Sequence, residues 1–239
     1  MIPLRDANPT RRTPLATLAI AVACFVVFAW ELGLLARGGE AALDAFVTSW
    51  GVVPADVTAA WSRGDILSRA TATLIASQFL HGSWLHLLGN MLYLWIFGNN
   101  VEDRLGRVVF VAFYLTGGVL AGLSQVAIDP SSQIPTIGAS GAIAATLGAY
   151  LVLFPRARIT SLVFLGFFYQ LIDVPAVIVL GFWFVLQVLD GIASLGLTSA
   201  GGVAVFAHIG GFVAGALAAR LLFIGHGRPR RSTAPPSVG

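Results

Sequence analysis

Residues 138–154 read Gly-Ala-Ser-Gly-Ala-Ile-Ala-Ala-Thr-Leu-Gly-Ala-Tyr-Leu-Val-Leu-Phe, followed by Pro155 and Arg156. From Ser140 to Phe154 the run contains neither charge nor proline, and Pro155, which cannot continue a helical ladder, closes it. A helix over 140–154 rises only about 22 Å at 1.5 Å per residue, whereas the hydrocarbon core of a bilayer is about 30 Å thick. If its foot stands at the interface marked by Arg156 and Arg158, its head, Ser140, lies below the opposite surface.

The rest of the chain supports a bilayer as the solvent. Of 239 residues 57% are hydrophobic and 10% charged, with a mean hydropathy of +0.85; soluble domains carry about a quarter charged residues. Apolar runs at 15–35, 84–101, 108–128, 140–154, from the break at Asp173 and Pro175 to about 193, and 203–224 reach or approach spanning length. The expected fold is therefore all-α, a polytopic bundle of six transmembrane helices whose fourth is short and partly submerged. The expected domains are a cytoplasmic amino-terminal tail (1–14), the membrane domain (15–224) and a disordered cytoplasmic tail (225–239) rich in Pro, Ser and Arg. The first run is too long for a signal-peptide core and has no small-residue cleavage pattern after it, so it is expected to be retained. Residues 36–80, with Trp50 and Trp61, are expected to lie in the membrane interface with short amphipathic helices, and 159–172 to be a connecting loop that touches the membrane.

Every one of the 14 basic residues is arginine. With the amino terminus inside, Arg5, Arg11, Arg12, Arg104, Arg107, Arg156, Arg158, Arg220, Arg228, Arg230 and Arg231 face the cytoplasm and only Arg37, Arg63 and Arg69 lie outside, which satisfies the positive-inside rule. The expected location is an integral protein of a bacterial plasma (inner) membrane with both termini cytoplasmic. Arginines scattered in ones and twos do not make a nucleic-acid surface. The single cysteine, Cys24, excludes an intrachain disulfide, a zinc-cysteine site and a redox pair.

Polar residues inside the apolar runs are the functional candidates, because such groups are costly in a membrane. His208 lies about 18 Å above Arg220 by helical rise; His86 and Asn90, four residues apart and so on one face, lie about 24 and 18 Å above Glu102. With Ser140 they occupy one layer. A histidine can take the proton of a serine hydroxyl and make it a nucleophile, so Ser140 and His208 form a candidate catalytic dyad. His86, Asn90 and the Ser140 amide, at the donor-rich start of a helix, are candidates for holding an oxyanion. Bland roles remain open at this point: Ser140 as a helix cap, His86 and Asn90 as interhelical hydrogen-bonding residues, His208 as a structural residue. Asp129, Asp173 and Asp190 fall near helix ends or breaks, so no carboxylate is well placed as a third member. Small residues at Gly141, Ala145 and Gly148, and at Gly211 and Gly215, would let the fourth and sixth spans approach closely.

At this point the sequence resembles the rhomboid family of intramembrane serine proteases. The resemblance is carried by His81-Gly82-Ser83-Trp84-Leu85-His86-Leu87-Leu88-Gly89-Asn90, by the Gly98–Gly106 segment with Val101-Glu102 and Arg104-Leu105-Gly106, by Gly138-Ala139-Ser140-Gly141, and by Ala207-His208-Ile209-Gly210-Gly211 with Gly215. It implies a six-helix bundle with Ser140 as nucleophile, His208 as base and His86 and Asn90 around the oxyanion, without metal or organic cofactor. It also implies single-span membrane proteins as substrates, entering beside the fifth span with Phe182, Trp183, Phe184 and Gln187. The first loop lacks the Trp-Arg pair that some bacterial members carry. Two other classes compete: a catalytically silent relative that binds transmembrane clients, and an ion carrier using His81, His86 and His208.

Overall fold

The computed structural model describes residues 2–165, 168–194 and 204–223. It is mostly helical. In chain order the elements are β1 (Ile2–Asp6), α1 (Leu15–Trp50), α2 (Pro54–Ser62), α3 (Arg69–Ala76), α4 (Trp84–Tyr93), α5 (Asn99–Leu105), α6 (Arg107–Ile128), α7 (Ser140–Leu153), β2 (Arg158–Leu165), β3 (Phe168–Pro175), α8 (Ala176–Ser194) and α9 (Val205–Phe223). A π-helical turn, Leu94–Gly98, joins α4 to α5 without a break. By length and composition α1, α6 and the 205–222 stretch of α9 can cross a bilayer; α7 and α8 are apolar but shorter.

The packing explains the sequence patterns. On α1, Thr17, Ile20, Cys24, Phe28 and Glu31 are buried at a helical spacing, while Leu18, Val22, Val26 and Trp30 on the other faces are exposed. α7 is buried all round from Ala142 to Tyr150, which is why its run is apolar on every face and rich in small residues. Its most extensive contact is with α9. There a Cβ on Gly215 would run into the Ala145 carbonyl, one on Gly211 into the Gly141 carbonyl, and one on Gly148 into the Phe212 carbonyl. The small-residue faces expected from the sequence are therefore a backbone-to-backbone seam.

Hydrogen bonds sort the connections into two ends. At one end the Glu102 carboxylate accepts from the Ala16 and Thr17 amides at 3.0 and 2.7 Å and from the Thr17 hydroxyl at 2.8 Å, an anion seated on the start of α1. Beside it the Arg11 amide donates to Asp103 at 3.2 Å. The same end holds a peg: Asp6 accepts from the Tyr150 hydroxyl at 2.9 Å and from the Asn100 amide group at 2.6 Å. At the other end Val52 pairs with Thr136, and the Gly138 amide donates to the Ser77 carbonyl at 2.9 Å.

Three expectations are corrected. The chain is not wholly helical: β1, β2 and β3 form an antiparallel sheet in that order, with Arg5 opposite Thr160 and Thr160 opposite Asp173. Residues 2–6 are accordingly a strand rather than tail, and 159–172 are the body of a hairpin rather than a loop. The reason is the alternation through Ala157, Ile159 and Ser161, all buried, with Arg158 and Thr160 between them turned outward. The segment expected at the interface is helical at its start: Gly39, at φ 68°, breaks α1 into two helices, the second of which ends at Trp50. The 3₁₀ turn Ser77–Phe79 and the short helices α2 and α3 fill the remainder. Within it, Arg69 lies 5.0 Å over the Trp50 ring, a tryptophan–arginine contact made by residues distant in sequence. The tail at 225–239, and the outermost residues of the last run, 203 and 224, lie outside the described residues.

Candidate active site

Ser140 is the first residue of α7, and the loop leading to it is held from two sides by the Val52–Thr136 bridge and the Gly138–Ser77 hydrogen bond. Gly138 adopts φ 122°, a conformation that favours glycine. The first α7 amide to find a helical acceptor is that of Ile143, which donates to the Ala139 carbonyl at 3.0 Å. The amides ahead of it are free of the helical ladder, as at any helix start.

His208 reaches this point from α9. Its Nε2 lies 2.7 Å from Ser140 Oγ, and its Nδ1 lies 2.6 Å from Gln187 Oε1 on α8. An amide oxygen only accepts; if Nδ1 donates to it, Nε2 is left to accept from the Ser140 hydroxyl. His208 is 9% exposed, and its ring lies 6.0 Å from that of Trp183.

His86 and Asn90 face the same turn from α4. The Ser83 hydroxyl oxygen, capping α4, accepts from the His86 amide at 3.2 Å. A Cβ on Gly138 would stand 2.7 Å from His86 Nε2 and 3.7 Å from Asn90 Nδ2, so both nitrogens lie against the Gly138 backbone, two residues before Ser140. Asn90 Nδ2 is buried and has no hydrogen-bond partner. A cavity of about 930 Å³ is lined by His86, Asn90, Gly138, Ser140, Trp183 and His208 among others. All four residues singled out in the sequence thus converge on one cavity, and the loop 129–137 contributes part of its wall.

Sequence reasoning missed two contacts. Gln187 was legible only as a polar residue in an apolar run, expected beside the entry side rather than on the histidine. Glu31, 2% exposed, accepts from the His81 amide at 3.2 Å and so ties α1 to the segment that precedes α4. The His81 ring lies 5.2 Å from that of His86, edge to face, rather than beside His208. Among the described residues no three His, Cys, Asp or Glu side chains converge as metal ligands.

Comparison with known proteins gives this geometry a family. The model of the Rhomboid domain matches residues 68–225, about two thirds of the chain. The chain belongs to the rhomboid family. Among similar rhomboid proteins, a presenilin-associated rhomboid-like protein A, mitochondrial, of Danio rerio is 36% identical over 88 residues, covering 36% of this chain and 23% of that one. Rhomboid protein 1, mitochondrial, of Saccharomyces cerevisiae is 34% identical over 96 residues, 38% of this chain and 28% of that protein. RHOMBOID-like protein 5 of Arabidopsis thaliana is 36% identical over 78 residues, 33% and 25% of the two. The matched stretches span about a quarter of the length of these curated rhomboid relatives. Family membership and the apolar helices make the chain a membrane protein. Two of these names point to mitochondria, so the relatives lend no support to a bacterial plasma membrane.

Proposed function

We propose that this rhomboid-family chain is an intramembrane serine endopeptidase that hydrolyses peptide bonds in or near the transmembrane segment of single-span membrane proteins. The observation that carries the reading is the 2.7 Å contact between Ser140 Oγ and His208 Nε2 inside an apolar bundle. Ser140 Oγ attacks the scissile carbonyl carbon while Nε2 takes its proton. The oxygen of the tetrahedral intermediate receives hydrogen bonds from the Ser140 amide, Asn90 Nδ2 and His86. The ring then returns the proton to the leaving amine, leaving an acyl ester on Ser140. A water, deprotonated by the same nitrogen, cleaves that ester and regenerates the hydroxyl. The water reaches the site through the cavity, open to the face opposite the arginine-rich end. No metal or organic cofactor takes part in this sequence.

Six crossings belong to the same proposal. The pairing of β1 with β2 joins chain separated by four apolar helical runs, and the Glu102 cap on α1 joins chain separated by two; an even number returns the chain to one side each time. Arg5, Arg11, Arg104, Arg107, Arg156 and Arg158 then share the cytoplasmic side, or its equivalent in an organelle.

The test is cleavage of a generic single-span substrate by the full chain in detergent and in liposomes. Wild type cleaves and is labelled on Ser140 by a fluorophosphonate. Ser140→Ala and His208→Ala each lose at least about 1,000-fold in rate with melting temperatures near wild type. Full cleavage by either folded variant overturns the dyad; a wild type that retains bound substrate uncut and resists the label makes the chain a client-binding relative instead.

A further inference from the structure

Gln187 has no part in the reaction as written, yet it makes one of the shortest side-chain hydrogen bonds among the described residues, 2.6 Å from its Oε1 to His208 Nδ1. The histidine is thus gripped at both nitrogens, by α8 on one edge and by Ser140 on the other. The two neutral tautomers of imidazole differ little in free energy in isolation, but only one has a free electron pair on Nε2. With the proton on Nε2 the ring would donate to Ser140 Oγ and could not remove its proton.

The α8 face that carries this acceptor does a second thing. Trp183, one helical turn before Gln187 and on the same side, sets its ring 6.0 Å from the His208 ring and 6.0 Å from that of Phe212 on α9. The indole limits tilt of the imidazole while the amide oxygen limits its rotation about the ring normal. Among the described residues no other acceptor is hydrogen-bonded to Nδ1. A carboxylate in this place would have to be desolvated within an apolar bundle, which is costly; a neutral amide oxygen supplies direction without that cost.

Building on the proposed dyad, we infer that Gln187 is a positioning residue of the same site: its side-chain oxygen holds His208 as the Nδ1–H tautomer with Nε2 directed at Ser140. It acts on the proton-transfer step and leaves substrate binding alone.

The test uses the full chain in detergent with the single-span substrate. Gln187→Leu, which keeps bulk and removes the acceptor, lowers kcat about 10- to 100-fold, by loss of base orientation, with KM within about twofold of wild type. Gln187→Glu, which keeps an acceptor oxygen but brings a carboxyl group that must be desolvated, retains a kcat severalfold above that of Gln187→Leu. Independently of turnover, ¹⁵N-histidine spectra of the wild type show His208, identified by the signal lost in His208→Ala, protonated on Nδ1 and not on Nε2; Gln187→Leu shows both tautomers. Wild-type kcat in Gln187→Leu, or a wild-type His208 protonated on Nε2, overturns the inference while leaving the dyad standing. Cleavage by Ser140→Ala overturns the dyad itself. If Gln187→Leu does not fold, the wild-type tautomer and the activity of Gln187→Glu decide.

Discussion

α7 and α9 meet carbonyl against glycine, at Gly141 with Gly211, Ala145 with Gly215 and Gly148 with Phe212. α8 reaches the same centre differently, with the side chains of Trp183, Phe184 and Gln187 laid against His208 and Phe212, and its contacts with α7 and α9 are much less extensive than theirs with each other. Backbone against backbone has no rotamers to adjust, so the separation of Ser140 and His208 is set by the helices themselves. Side chains against a ring can be displaced without moving any helix axis. One side of the site is therefore a fixed frame and the other an adjustable wall.

Glycine substitutions on the two sides separate these descriptions. Gly215→Ala puts a methyl group into the Ala145 carbonyl and should cost about 3 kcal/mol or more, since only a backbone shift can relieve it; thermal unfolding in detergent should show a large drop, with cleavage lost in parallel. On α8, Gly181 has open space where a Cβ would stand. Gly181→Ala should leave activity unchanged and raise stability by up to about 1 kcal/mol through helix propensity alone. Similar unfolding temperatures for the two variants would erase the distinction between frame and wall.

The smallest effect is expected at the peg that ties the foot of α7 to the strand leading the sheet. Burial of Asp6 pushes its carboxyl above the ordinary value of 3.8, an effect opposed by the hydrogen bond from Tyr150. A carboxyl raised on folding stabilises the fold fully below its ordinary value and loses that contribution as pH rises through the raised one. Wild-type stability should therefore decline modestly from about pH 4 upward, and Asp6→Asn, which keeps an acceptor for Tyr150 and Asn100, should flatten that part of the profile. An unchanged slope in the variant would show that Asp6 is not the group responsible.

The meeting of Ser140 with His208 was legible because helical rise is a property of sequence length: counting down to Arg156 and Arg220 places both side chains at one depth without knowledge of their partners. The small-residue seam was legible for a similar reason, as spacing along single helices. Gln187 was not, because which side of α8 faces α9 depends on how two helices are rotated against each other, and no count along either chain contains that angle. The break that ends the first run is made by Gly39 alone, whose φ of 68° separates two helices. The hairpin was hidden by its own apolarity, since Ile159, Leu162, Val163 and Phe164 suggest membrane contact before they suggest alternation. The edge of the sheet supplied by residues 2–6 depends on pairing across more than 150 residues, for which a single sequence holds no sign.

The wide turn Leu94–Gly98 has a geometrical effect on the helix it interrupts. Counted at 3.6 residues per turn, Asn90 and Glu102 would point about 120° apart around the axis. One π turn sets the lower half back by about one residue, or about 100°, and leaves them within about 20°. Both residues are in fact buried, at 9% and 3% exposure. The turn is thus a phase correction: a single rod addresses the chamber near its top with an amide and clasps the start of the first helix near its bottom with a carboxylate, two tasks that an evenly wound rod of the same sequence would have aimed in different directions.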